Sequence, residues 1–280
     1  MKVHFFLKML RPAQWLKNLM IFFPPFLAGQ IFLPGVVIKG AVPFCAFCLV
    51  SSAGYIFNDL LDRERDAYHP QKCCRPISSG DVSLTGASLF SALLLISGLL
   101  LAGFISPPLL LLLVGYAVIT TSYSIQLKTV PIVDLFCISA GFLIRLQAGG
   151  ELFHVPISPW LFLTVFLMAV FLSTGKRLSE SRSLGDLAGK HRTSLATYPP
   201  GFLAGTMFMT AGAVLVTYAM YALNRHTLIY SVPLCLFGLL RYMYRVISGE
   251  YGDPTESLLK DRLLFVVGVL WVLMVVWSIY

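Results

Sequence analysis

Charged side chains are scarce in this sequence. They make up 12% of its 280 residues, against about 25% in a soluble domain. Apolar residues fill 57%, and the mean hydropathy is +0.80. These values exclude an ordinary water-soluble globule, and no nucleic-acid partner is expected. Strict apolar/polar alternation is also missing, which excludes a transmembrane β-barrel. The apolar runs are instead continuous and about 20 residues long, the length of a membrane-crossing helix. A helix is the remaining way to satisfy every backbone group in lipid. The N-terminus lacks the short apolar core and small-residue cleavage site of a secretory signal, so no cleavable signal peptide is expected.

Cysteine supplies no disulfide framework. Cys45, Cys48, Cys137 and Cys235 lie inside apolar runs, and Cys73-Cys74 lies in a loop assigned to the cytosol, where thiols stay reduced. Cys45-x-x-Cys48 has no second pair and sits within an apolar helix, so it does not read as a metal site.

Nine apolar segments run over Trp15–Leu33, Ile38–Phe57, Leu84–Phe104, Leu109–Gln126, Val130–Gly150, Pro159–Gly175, Phe202–Leu223, Leu228–Val246 and Leu263–Tyr280. The third and fourth are separated only by the tight turn Ile105-Ser106-Pro107-Pro108. With the N-terminus on side one, only Lys39 and Arg225 of the 21 Lys and Arg fall on side two, and Arg145 lies within a span. The positive-inside rule makes side one cytoplasmic. Carboxylates obey no such rule, yet of 13 only Glu151 lies away from side one or its membrane edge. Both signs packed at one set of bundle mouths point to a site for a charged ligand. An odd number of spans leaves the C-terminus outside.

The second span closes on Tyr55-Ile-Phe-Asn58-Asp59-Leu-Leu-Asp62-Arg63-Glu64-Arg65-Asp66. Asn58, Asp62 and Asp66 are four apart and share one helical stripe, with Asp59 beside it. Like charges at this spacing repel, and a cation would remove the penalty. Oxygen donors with open positions suit Mg²⁺, which takes one or two carboxylates and completes its shell with water and substrate phosphates. The bland alternative is a solvated helix end with salt bridges to Arg63 and Arg65.

Just beyond, His69-Pro70-Gln71-Lys72-Cys73-Cys74-Arg75-Pro76-Ile77 carries Lys72 and Arg75, suited to gripping a diphosphate. Tyr123 and Lys128 close the fourth span, and Asp134 and Arg145 enter the fifth. Arg145 lies about three helical turns from Asp134, too far to pair. It is therefore expected to face the bundle cavity, since ionisable residues inside membrane helices are functional by default. Gly175-Lys176-Arg177-Leu-Ser-Glu180 gathers two cations and a carboxylate within one turn. Lys190-His191-Arg192 reads equally well as a solvated loop.

Asn58-Asp59-x-x-Asp62-x-x-x-Asp66 after the second of nine helices resembles the motif of the UbiA-type polyprenyltransferase superfamily. The chain resembles more narrowly its decaprenyl-phosphate phosphoribosyltransferase branch. Arg11-Pro12-x-Gln14-Trp15-x-Lys17-Asn18, His69-Pro70-x-Lys72-x-x-Arg75-Pro76-Ile77, Tyr123-Ser124-x-x-Leu127-Lys128, Gly141-Phe142-x-x-Arg145 and Gly175-Lys176-Arg177-x-x-Glu180 carry that likeness. So do Arg241-Tyr242 and the stretch from Asp253-Pro254 to Asp261-Arg262.

The resemblance implies an all-α integral membrane protein. Residues 1–280 would form a single transmembrane domain, a bundle of nine helices around a cytoplasm-facing cavity in the plasma membrane of a bacterium. It implies Mg²⁺ as cofactor, with phosphoribosyl pyrophosphate and a polyprenyl phosphate lipid as substrates. Asn58, Asp59, Asp62 and Asp66 would serve as metal ligands or catalytic acids. Lys72, Arg75 and Lys128 would bind pyrophosphate oxygens, and Lys176 and Arg177 the 5-phosphate, with Glu180 orienting them or a ribose hydroxyl. Lys17 would meet the acceptor phosphate, and Tyr55, Tyr123, Asp134 and Arg145 would complete the substrate-binding set.

One departure separates the branch from the wider superfamily. Its usual members carry a second Asp-rich motif after the sixth helix, where this chain places Lys176, Arg177 and Glu180. Bases there fit a donor with one more phosphate. Two alternatives stay open, prenyl transfer to an aromatic acceptor and transport of an anionic metabolite. The first predicts the absent acidic cluster, and the second predicts inverted repeats and a charged far gate. A homo-oligomer is compatible with helices that are equally apolar toward lipid and toward a neighbour.

Overall fold

The computed structural model describes residues 2–68, 72–184, 195, 197–223, 225, 227–250 and 252–280. Every regular element among them is a helix. His69-Pro70-Gln71 and Lys190-His191-Arg192 lie outside the described residues. We number the α-helices α1 (Lys2–Leu10), α2 (Phe23–Leu27), α3 (Val36–Leu61), α4 (Arg63–Ala67), α5 (Leu84–Ile105), α6 (Pro107–Ile125), α7 (Val133–Phe153), α8 (Pro159–Leu184), α9 (Phe202–Leu223), α10 (Val232–Ile247), α11 (Pro254–Lys260) and α12 (Arg262–Ile279). A 3-10 helix, Pro12–Phe22, connects α1 to α2, and another, Leu228–Ser231, leads into α10.

Among the described residues seven helices are long and apolar enough to cross a bilayer: α3, α5, α6, α7, α8, α9 and α12. They correspond to seven of the nine expected segments. The first and eighth segments are not single long helices. In the first, Pro24 and Pro25 occupy the opening turn of α2, where a missing N–H is tolerated, and the short helix is followed by Gly29 at φ +74°. In the eighth, Pro233 opens α10 after the 3-10 turn. The turn expected at 105–108 is tighter than its sequence indicates. Ser106 alone caps both helices, its Oγ accepting the Leu109 N–H at 3.2 Å, and Pro107 is already the first residue of α6.

The described chain forms two compact units, Met1–Pro25 with Gln30–Val155, and Phe26–Gly29 with Pro156–Tyr280. In the first, α3 packs on α5 and α6, and α7 packs on α6 and on the 3-10 helix Pro12–Phe22. Its core is built on Ile21, Phe47, Leu113 and Tyr116, with a second cluster around Met9, Ile56 and Leu94. In the second unit α8 packs on α9 and α10 around Phe171, Met207, Val214, Tyr242 and Val246.

Lipid gives no hydrophobic drive between helices, so close backbone approach supplies the packing. A Cβ on Gly98 would stand 2.6 Å from Val50 Cγ2 and 2.9 Å from the Ala46 carbonyl oxygen, so α3 and α5 meet there because Gly98 has no side chain. At Gly149 in α7 a Cβ would fall on the carbonyl oxygen of Ile21, in the 3-10 helix.

Backbone cannot rotate aside as a side chain can. Gly149→Val is therefore expected to destabilise the protein by about 3 kcal/mol or more, read as a lowered melting temperature in detergent. Gly115→Val, at an α6 position with nothing within 4 Å of an added Cβ, should melt like wild type.

Candidate active site

The acidic stripe forms where α3 ends. Asn58 and Asp59 lie in its last turn, Asp62 is its C-cap, and Asp66 belongs to α4. The stripe is thus carried across a helix break rather than along one helix. The break is small, because the N–H of Asp62 still reaches the Asn58 carbonyl at 2.9 Å and the N–H of Asp66 reaches the Asp62 carbonyl at 2.8 Å. The four side chains remain neighbours for that reason.

Their mutual repulsion is relieved by three cationic side chains. Arg11 Nη2 donates to both oxygens of Asp59 at 2.5 and 2.7 Å. Arg75 Nη1 donates to Asp59 Oδ1 at 2.8 Å and to Asp66 Oδ2 at 2.5 Å. Lys128 Nζ donates to both oxygens of Asp62 at 2.7 Å and to Asn58 Oδ1 at 3.1 Å. Asp59, Asp66 and Lys128 are buried. Burial pushes the Asp66 carboxyl above its ordinary value, against the pull of Arg75 and Lys72. Arg63 and Arg65, the salt-bridge partners of the bland alternative, stand 3.5 Å from Glu64 and 4.0 Å from Asp62, Arg63 half-buried and Arg65 exposed.

Arg11 stacks over Tyr55, its Cζ 5.2 Å from the ring centroid. Sequence reasoning placed Arg11 in a motif but gave it no role at the site. The available signal was a cation at the start of the N-terminal motif on the acid-bearing side. Lys17, Tyr55, Lys72 and Tyr123 are half-buried, and Asp134 is fully buried in the first turn of α7. Arg145 is not among the cations that meet the acids. Its three hydrogen bonds end on Asn18, Gly141 and Tyr116.

Among the described residues no three His, Cys, Asp or Glu side chains converge as a closed metal cage. The donor set does fit an open site. The Lys128 ammonium, a cation, already sits between Asn58 Oδ1 and the Asp62 carboxylate, so those oxygens face a common point that accepts positive charge. Two protein oxygens there suit Mg²⁺, which keeps positions for water and phosphate oxygens.

The second unit holds the basic turn. Lys176 Nζ donates to Asp253 Oδ2 at 2.9 Å, and Arg177 Nη1 donates to Glu180 Oε2 at 2.7 Å. Asp253 also caps α11 through the N–H groups of Thr255 and Glu256. Asp253 was read from sequence only as part of a motif. It is the acid that holds Lys176, and their separation of 77 residues hid the pairing. Gly175 lets Tyr242 lie against α8, since a Cβ there would be 2.7 Å from the ring, and the Tyr242 hydroxyl donates to the Gly252 carbonyl at 2.8 Å. At the start of α12, Asp261 takes Arg241 Nη2 at 2.8 Å, Arg245 Nη1 at 2.5 Å and the Leu264 N–H at 2.8 Å. Burial alone would raise this carboxyl, but the arginines and the backbone N–H outweigh it and hold it well below the usual carboxylate range.

The profile of the UbiA prenyltransferase family matches residues 22–268. The sequence is 32% identical over 284 residues to the decaprenyl-phosphate phosphoribosyltransferase of Mycolicibacterium smegmatis, covering 95% of this chain and 89% of that protein. It is 33% identical over 295 residues to the protein of the same name from Corynebacterium glutamicum, covering 98% and 86%. The fold is similar to that of a UbiA homologue from Archaeoglobus fulgidus, solved with DMAPP and Mg²⁺ bound. There the TM-score is 0.74 at 20% identity, with 98% of each chain covered.

Because Asp261 has a depressed folded value, its ion network contributes fully above the ordinary carboxyl value, about pH 4, and is lost as pH falls from there toward the folded value. The melting-temperature gap between wild type and Asp261→Asn should be constant from about pH 5 to 7. It should shrink below about pH 4, where unfolded carboxylates protonate. A gap that widens on acidification contradicts this assignment.

Proposed function

The chain belongs to the UbiA prenyltransferase family, and from that premise we propose that it transfers a 5-phosphoribosyl group from phosphoribosyl pyrophosphate to a polyprenyl phosphate. The observation that carries the reading is the identity of 32–33% to decaprenyl-phosphate phosphoribosyltransferases over nearly the whole chain. The basic Lys176–Arg177 turn, standing where the wider family is expected to carry acids, supports it on physical grounds.

In this reading a phosphate oxygen of the lipid attacks the anomeric carbon of the ribose. A new carbon–oxygen bond forms there, the bond to pyrophosphate breaks, and pyrophosphate leaves with the electron pair. No general base is needed, because a phosphate nucleophile is already ionised. Asn58 and Asp62 would hold Mg²⁺, with Asp59 and Asp66 in or beside the same shell. When bound, the ion supplies charge neutralisation to the departing pyrophosphate. Lys128 and Arg75 exchange carboxylate partners for diphosphate oxygens, and Lys72 adds a third cation. Arg11 holds Asp59 in place through both carboxylate oxygens. Lys176 and Arg177 bind the 5-phosphate with Glu180 orienting them, and Lys17 receives the lipid phosphate. Tyr55, Tyr123 and Asp134 complete the substrate-binding set.

We further assign nine membrane crossings with the acid–base loops on the cytoplasmic side, the N-terminus inside and the C-terminus outside. The Lys and Arg asymmetry supports the orientation. The count is supported by length. The 3-10 helix Pro12–Phe22 with α2 rises about 30 Å, and Leu228–Ser231 with α10 about 32 Å, each enough for a hydrocarbon core of about 30 Å.

The test is an assay of purified protein with labelled phosphoribosyl pyrophosphate, polyprenyl phosphate and Mg²⁺. Labelled lipid is the expected product. Inactivity there, with activity on a prenyl diphosphate and a phenol, would overturn the proposal. Asp62→Ala should lower turnover by about 100-fold or more in protein that still melts cooperatively. Lys176→Ala should raise the donor KM on the order of tenfold or more, the cost of one charge-assisted hydrogen bond. An effect confined to the lipid KM would reverse the two subsites.

A further inference from the structure

Arg145 lies within the membrane-crossing helix α7 and is 4% exposed. Among the described residues no carboxylate comes within ion-pair distance of it. A buried charge without a counter-ion is costly. Compensation comes entirely from neutral groups. Nε donates to Asn18 Oδ1 at 2.7 Å, Nη1 to the Gly141 carbonyl at 2.7 Å and Nη2 to the Tyr116 hydroxyl at 2.8 Å. The Tyr116 and Phe142 ring centroids lie 4.5 and 5.9 Å from Cζ. A Cβ on Gly141 would crowd Nη1 to 3.3 Å, so the glycine four residues earlier makes room for the guanidinium.

The distinctive contact is the one to Asn18. That residue is fully buried in the 3-10 helix Pro12–Phe22. Its own Nδ2 donates onward to Cys48 Sγ at 3.2 Å and Ser51 Oγ at 3.3 Å on α3. One amide thus ties α7, the 3-10 helix and α3 together. Trp15 adds an indole bond to Ser52 Oγ at 3.1 Å, and Ser52 donates to the Leu10 carbonyl at 2.9 Å. Runs of 3-10 helix longer than about four residues are uncommon, and this one has 11. Arg11, at its start, sits at φ 53° and ψ 60°, a left-handed conformation that a long side chain adopts only when its surroundings over-determine it. From that position its guanidinium grips Asp59.

We propose that Arg145 is a positioning residue that, through Asn18, fixes the 3-10 helix in the register that presents Arg11 to Asp59. The kinetic part of its test rests on the transfer reading above; the chemical part does not. In the transfer assay, Arg145→Met is expected to lower kcat on the order of 10- to 100-fold with both KM values nearly unchanged. Arg11→Ala is expected to lose rate as well, and the double variant should fall within about twofold of the slower single variant, because both losses act through one contact. Losses that multiply overturn the proposal, and so does a raised donor KM with kcat intact, which would make Arg145 a substrate contact. Arg145→Lys keeps the charge and can reach Asn18 or Tyr116 but not both. It provides the same cycle if the methionine variant does not fold, and its loss must likewise vanish in the Arg11→Ala background. Independently of catalysis, alkylation of Cys48 by N-ethylmaleimide in a Cys45→Ser background, read by mass spectrometry, should accelerate in both Arg145→Met and Asn18→Leu. An unchanged rate in either overturns the link through Asn18. If wild type transfers no phosphoribosyl label, the transfer reading fails while the Cys48 result still decides this one.

Discussion

The first unit depends on one electrostatic constraint. Asp59, Asp62 and Asp66 stand at the end of an apolar helix, where closely spaced carboxyl groups repel one another unless cations lie among them. Arg11, Arg75 and Lys128 supply those cations from segments 48, 16 and 66 residues away from the acids they meet. The N-terminal segment, the loop after α4 and the end of α6 are therefore drawn to one place by charge. The helical packing beneath it, built on close approaches such as Gly98 and Gly149, has no such directionality of its own. Neutralisation has a functional corollary. In the proposed transfer, the cations that satisfy carboxylates here would turn to phosphate oxygens of the donor, and the freed carboxylates to its metal.

The second unit uses the same chemistry with the emphasis reversed. Its cations, Lys176 and Arg177, occupy the end of a long apolar helix, and Asp253 and Glu180 hold them. Asp261 takes two arginines of α10 while capping α12. Tyr242 fills the space left by Gly175 and closes on the loop that bears Asp253. A side chain at 175 would separate the loop from α8 and with it the acid from Lys176.

The buried Arg145 meets no carboxylate within ion-pair distance among the described residues, and its hydrogen bond to Asn18 ties it to a strained segment of backbone. A long 3-10 helix and a left-handed arginine are conformations that the chain does not adopt by preference. They persist here because Asn18, Trp15 and Gly149 fasten the segment along its length. Burial favours this solution, since in a low-dielectric interior each hydrogen bond from Arg145 is stronger than it would be in water.

Much of this protein is legible from its sequence. Continuous apolar runs specified helices and most of their bounds, because lipid admits no other backbone state for such segments. The spacing of Asn58, Asp62 and Asp66 made them neighbours, because an i,i+4 hydrogen-bond pattern survives even across the break at Asp62. Counting charges loop by loop also leads to the expectation that both signs gather on one side of the membrane. Tertiary structure alone decided which charges meet. Repulsion within the acidic stripe pointed to a metal, yet the fold relieves it with Arg11, Arg75 and Lys128, and nothing local links those residues to the stripe. Likewise Arg145 reads from sequence as a cavity cation, while the fold turns it onto Asn18, 127 residues earlier. Periodicity reports which face of a helix a residue occupies. The partner waiting on that face is set by how distant segments pack, and that information is not local to any stretch of the chain.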